Sequence, residues 1–160
     1  MSQSLPELIP KATYDAYVLP PGKQLRITIP VRLPNQEKRR NLANLKELVA
    51  HLELAFPTAH VLPLVFHELH FTAQVAVMYH TDVLLGVHGG AMTNMLFLQP
   101  NKGLVLELHP QSSVAHCYQN MAQHAGIPYR KLLVDDSSGE SKPNVQQVSQ
   151  LVKELFAAYR

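Results

Sequence analysis

At 160 residues, with 46% apolar and 16% charged side chains, the chain is long enough for one domain with a real core and too short for two ordinary domains, and its apolar share argues against disorder. Lys and Arg number 14 against 12 Asp and Glu, a net charge of +2, which excludes the polybasic surface that counterion-release binding to nucleic acid needs. The single cysteine, Cys117, excludes an internal disulfide framework and a thiolate zinc site.

Residues 1–24 carry Pro6, Pro10, Pro20, Pro21 and Gly22 with little periodicity and read as an irregular N-terminal arm. The first ten residues lack a basic flank followed by an apolar run, so they do not read as a signal peptide. Residues 25–160 read as the domain proper. Leu25–Val31 alternates and is β-rich, so it predicts the first strand. Leu42, Leu45, Leu48, Val49 and Leu52 then recur at helical spacing. Val61–Val65 is a short apolar strand, Phe71–Tyr79 fills the next helix, and Val83–Val87 is apolar throughout, which suits a parallel strand covered on both faces. Ala91–Leu98 reads as a helix, Leu104–Leu108 as the fourth strand, Val114–Ala125 as a helix stopped by Gly126, and Tyr129–Val134 as the fifth strand. After a polar loop, Val145, Val148, Leu151, Val152, Leu155 and Tyr159 mark a last helix, with Pro143 near its start and Ser141 as its candidate cap. From Val83 to Asn101 no residue is charged, but His88, Thr93, Asn94 and Gln99 in this stretch make it a buried loop and helix rather than a membrane span. Five β-α units in succession predict an α/β fold: a Rossmann-like, doubly wound parallel sheet of about five strands with helices on both faces.

In an open parallel sheet, ligands bind beyond the carboxyl ends of the strands. Arg32 follows the first strand, Glu68 the second and His88 the third, while Glu107 and His109 close the fourth. The sharpest segment is Asp82-Val-Leu-Leu-Gly-Val-His88-Gly89-Gly90-Ala91-Met-Thr93-Asn94. A strand ends at His88, two glycines permit close backbone approach, and a helix starts at once with its unpaired amides and positive dipole end outward, a phosphate-binding geometry. The bland alternative is a tight turn whose glycines serve only the bend, with His88 a satisfied core histidine.

Other chemistries find less support. No G-x-x-x-x-G-K-[ST] or G-x-G-x-x-G stands after the first strand, and no G-x-S-x-G is present. His67-Glu68-Leu69-His70 lacks the i, i+4 histidine spacing of a zinc hydrolase. Cys117 reads as a small core residue, and Glu37-Lys38-Arg39-Arg40 as a solvated surface.

Taken together, Arg32, Arg39-Arg40 with Asn44, Glu68 with Gln74, the block from Asp82 to Asn94, and the strand ending in Glu107 and His109-Pro110 resemble the C-terminal half of glycosyltransferase family 61 over residues 25–135. One departure is the order Gly90-Ala91, where the family has alanine before glycine. The resemblance implies one lobe of a two-lobed, GT-B-type glycosyltransferase that binds a nucleotide-sugar donor, commonly a UDP-sugar. It implies Arg32 and His88 as catalytic residues stabilising the departing diphosphate. Arg39, Arg40, Asn44, Glu68, Gly89, Gly90, Thr93, Asn94 and Glu107 are implied as donor-binding, Glu107 through ribose hydroxyls. No divalent metal or other cofactor is expected, since no Asp-x-Asp is present.

An acceptor site and the base for an acceptor hydroxyl do not fit in one lobe, so a second lobe or a partner subunit is expected to supply them. The competing expectation is a non-catalytic α/β nucleotide-binding or protein-interaction module. The sequence leaves the sugar, the acceptor and the cellular location open.

Overall fold

In the computed structural model, which describes residues 9–32 and 41–159, the apolar runs form five strands: β1 Leu25–Pro30, β2 Ala59–Leu64, β3 Val83–Val87, β4 Leu104–Pro110 and β5 Tyr129–Val134. All neighbouring pairs are parallel and the order is β2-β1-β3-β4-β5. The chain therefore winds outward in one direction through β1 and β2, then returns to lay β3 on the other side of β1. This is the doubly wound, Rossmann-like arrangement, with its strand order reversing between β1 and β3.

The helices are α1 Lys11–Asp15, α2 Leu45–Ala55, α3 Phe71–Tyr79, α4 Cys117–Ala125 and α5 Val145–Tyr159, with 3₁₀ segments at Phe66–Glu68 and Gly90–Phe97. The continuous apolar run of β3 divides between the two faces by simple alternation. Val83, Leu85 and Val87 join Ile27, Ile29, Leu106 and Leu108 against Leu48 and Leu52 of α2 and Val148, Val152 and Leu155 of α5. Leu84 joins Val105 against Val77 and Met78 of α3, Met92 and Met95 of the longer 3₁₀ segment, and Ala122 of α4. Every residue of β3 is buried, as two covered faces require.

Several local details differ from the sequence expectation. The segment before β1 contains α1, and Ile9, Tyr14 and Tyr17 pack on Val75 and Ala76 of α3. Residues 90–97 form a 3₁₀ rather than an α-helix. Here Thr93 Oγ1 donates to the Gly90 carbonyl at 2.7 Å and Asn94 Nδ2 to the Ala91 carbonyl at 3.1 Å, side-chain competition that favours the tighter turn over i→i+4 bonding. Asn144, not Ser141, caps α5, its Oδ1 accepting the Gln147 N–H at 3.0 Å. Helix α4 starts three residues later than its apolar pattern suggests, which leaves Cys117 exposed at its first turn instead of in the core. The stop at Gly126 is as expected: its φ of 66° is the left-handed conformation glycine adopts at little cost.

Gly103 leads into β4 where there is no room for a side chain. A Cβ built there would lie 2.5 Å from the Leu98 Cβ, and Leu98 is itself buried. Gly103→Ala is expected to lower stability by about 1–3 kcal/mol, the usual cost of overpacking, read as a shifted urea midpoint with an unchanged slope.

Candidate functional site

The carboxyl ends of β1, β2 and β3 open into a cavity of about 550 Å³, within the size range of small-ligand sites and at the strand-order reversal where doubly wound sheets take their ligands. The walls come from the segments that follow the three strands. Val31 and Arg32 follow β1, Phe66 and His67 follow β2, Phe71 and Gln74 begin α3, and Gly90 to Phe97 follow β3. Phe71 and Phe97 meet edge to face with centroids 5.5 Å apart. Phe71 is 64% and Leu96 51% exposed, so the cavity lip is apolar and aromatic. The lining also holds polar groups: the half-buried Arg32, the exposed Thr93 and the buried Asn94. Arg32 also borders a smaller cavity of about 220 Å³ with Asn41, Leu42 and Glu140.

The glycines after β3 are not demanded by the turn. Gly89 has extended backbone, φ 165° and ψ 170°, and a Cβ built on Gly90 would meet nothing within 4 Å. What their bareness leaves clear is the approach to the first amides of the 3₁₀ segment, which have no acceptor inside it.

Immediately before them, His88 is bound into a buried polar network. Alternation along β4 puts Glu107 and His109 on the side of the sheet opposite Leu106 and Leu108. Glu107 is 1% and His109 2% exposed. Glu107 Oε1 accepts from His88 Nδ1 and, at 3.0 Å, from His109 Nδ1, while Oε2 accepts from the Tyr129 hydroxyl. The second nitrogen of His109 faces the Ser113 carbonyl at 3.1 Å, so the ring is held at both of its nitrogens. The His88 ring packs against Tyr118 of α4, with centroids 4.8 Å apart, and against His109, 4.9 Å apart. Burial pushes the Glu107 pKa up, but the bonds from Tyr129, His109 and His88 outweigh it and hold the carboxyl below its usual value. Burial, reinforced by the bond to Glu107, raises the Tyr129 phenol far above its ordinary value. The ligating atoms of His88, Glu107 and His109 lie within 4.8 Å of one another. They also contact one another, with two imidazole nitrogens on one carboxylate oxygen.

The structure thus brings Arg32, Gly90, Thr93 and Asn94 together around the cavity, whereas His88, Gly89 and Glu107 are not part of its lining, and His88 and Glu107 belong to the network with His109 and Tyr129. Other sequence candidates lie elsewhere. Asn44 stands before α2 and ties Glu47 at 3.2 Å and the Pro143 carbonyl at 3.0 Å. Glu68 is exposed at the end of its 3₁₀ turn. Arg39 and Arg40 lie outside the described residues. Asp82, which opens the Asp82–Asn94 block, sits at the opposite end of β3 and accepts the Arg26 N–H at 2.7 Å and Lys102 Nζ at 3.2 Å. There it helps hold the sheet to the N-terminal segment, since the buried Arg26 guanidinium reaches the Tyr17 and Val18 carbonyls. The aromatic wall of Phe66, Phe71 and Phe97 carried no motif in the sequence. Tyr129 carried none either, because its partner comes from a neighbouring strand.

A hollow at the switch point of a doubly wound parallel sheet is where sheets of this class take their ligands. The family model of glycosyltransferase 61 matches residues 3–105, and the chain belongs to that family. It is similar to EGF domain-specific O-linked N-acetylglucosamine transferases: 37% identical over 111 residues to that of Drosophila melanogaster, covering 69% of this chain and 20% of the relative. It is 36% identical over 108 residues to that of Xenopus laevis, covering 66% and 19%, and 31% identical over 111 residues to that of Bos taurus, covering 69% and 20%. The chain spans about a fifth of the length of these curated relatives. Among the described residues no helix is long and apolar enough to cross a membrane.

Proposed function

We propose that this chain is the donor-binding lobe of a GT-B-type glycosyltransferase, holding a UDP-sugar for transfer of the sugar to an acceptor hydroxyl. The observation that carries this reading is the cavity at the strand-order reversal, with Arg32 on one wall and the amide end of the Gly90–Phe97 segment on another. A planar base fits the aromatic wall of Phe71 and Phe97, and the diphosphate fits between Arg32, His88 and the amides after Gly89. In the transfer the acceptor oxygen bonds to the anomeric carbon as the bond from that carbon to the diphosphate breaks. The electron pair goes to the diphosphate oxygen, and the hydroxyl proton to a base. Charge grows on the diphosphate in the transition state, so fixed donors aimed there lower the barrier.

The acceptor site and the base belong, on this proposal, to a second lobe or partner subunit. With cationic and amide groups stabilising the leaving group, no divalent metal is required. The relatives' names make N-acetylglucosamine the first sugar to test and an EGF domain the first acceptor. Glu107 is not used here as a ribose ligand, because both its oxygens are engaged.

Titration calorimetry of the chain with UDP and with UDP-N-acetylglucosamine tests the reading. Saturable binding is expected, unchanged by a chelator. No heat at millimolar ligand removes the donor-lobe reading, and binding abolished by the chelator removes metal independence. Donor binding that never supports transfer once acceptor and second lobe are supplied would instead favour a non-catalytic binding module.

A further inference from the structure

We propose that Glu107, clamped by Tyr129 and His109, is a positioning residue that never touches the donor and acts by fixing the ring of His88 directly before the Gly89-Gly90 step. The inference rests on the donor-lobe reading for its consequence but on geometry for its content. His88 is the last residue before the Gly89-Gly90 step, and its Nδ1 is committed to Glu107 Oε1. Its Nε2 has no hydrogen-bond partner among the described residues and is not among the buried polar atoms left without one, so it is the nitrogen still open to a ligand.

A ring with Nδ1–H spent on a carboxylate has its orientation and tautomer set from behind, the logic by which buried carboxylates prepare imidazoles for chemistry. That control works only while the carboxylate is fixed. Tyr129 holds Oε2, and His109, itself tied to the Ser113 carbonyl, shares Oε1. Neighbours on three elements thus converge on one anion: His109 from β4, Tyr129 from β5 and His88 at the end of β3. Tyr118 of α4 packs edge to face with the His88 ring. Glu107 within and a ligand without would thus meet His88 at opposite nitrogens of the ring.

The test combines UDP affinity with the ¹⁵N signals of the His88 ring in the 160-residue chain, for the parent, Tyr129→Phe, Glu107→Gln, His88→Ala and the double variant Tyr129→Phe/His88→Ala. Tyr129→Phe removes one hydroxyl at nearly constant volume. It is expected to weaken UDP binding about three- to ten-fold, the usual range for one hydrogen bond, and to have less than about a two-fold effect once His88 is alanine, the mark of coupled sites. Equal losses in both backgrounds overturn the proposal. If the parent binds no UDP, the donor-lobe reading fails by itself and the ring signals decide this one. Protonated Nδ1 in the parent with a changed tautomer balance in Glu107→Gln and Tyr129→Phe supports it, and identical signals in all three overturn it. Glu107→Gln keeps the side-chain shape, so a result is available even where Tyr129→Phe folds poorly.

Discussion

Glu107→Ala is expected to lower the unfolding free energy by about 3–5 kcal/mol, the range for deleting one member of a buried charged network. The carboxylate is 1% exposed, and its removal leaves His88, His109 and Tyr129 without their common acceptor in a place water does not reach freely. Its pH dependence gives the result a signature. The folded carboxyl titrates below its ordinary value of 4.5, so it binds protons less readily folded than unfolded. Its contribution is therefore complete above that ordinary value and is lost as pH falls through the lower folded value. Urea unfolding of parent and variant should show the full gap at neutral pH and a narrowing gap on acidification below 4.5. Equal midpoints at neutral pH would show that the network contributes nothing to the fold.

The second large effect concerns turnover. In an enzyme carrying this chain with its acceptor-binding lobe, Arg32→Ala is expected to reduce kcat/KM for the UDP-sugar about 10²–10³-fold, the scale for removing one preorganised donor to a developing negative charge. Arg32 is half-buried at the end of β1 and borders both cavities, so its charge is partly shielded from bulk water and acts at short range. Arg32→Lys should recover only part of the loss, since an ammonium lacks the guanidinium's paired donors. Steady-state kinetics decide it. A change smaller than about three-fold, under 1 kcal/mol of barrier, would place Arg32 outside the reaction.

Much of the fold was legible because its signals are local. The ends of β3, β5, α3 and α5 coincide with the limits of their apolar patterns, since burial on one or two faces writes itself into consecutive residues. The site at the strand ends was legible in outline for the same reason: Arg32 and His88 directly follow recognisable strands. What escaped was non-local. The order β2-β1-β3-β4-β5 depends on which strands pair, and no single segment encodes it. Glu107 looked like a free acceptor at a strand tip, yet β4 runs on to Pro110. This places the carboxylate inside the sheet, where Tyr129, from a strand twenty-two residues on, takes one oxygen. The aromatic lip was hidden because phenylalanines in a helix are read as core, whereas Phe71 stands largely in solvent. Asp82 was misleading in the opposite sense: it belongs to the motif but serves the far end of the strand.

The alternation of β4 also bears on how such a lobe can diversify. Leu106 and Leu108 are committed to the hydrophobic interior on one side, and Glu107 and His109 to the ionic cluster on the other, so that strand has almost no position free to drift. On the proposed function, a change of ligand preference falls where neither duty is imposed, at the solvent-facing rim around Phe71, Thr93 and Leu96. A lineage could exchange those side chains for different substrates while the machinery beneath stayed the same.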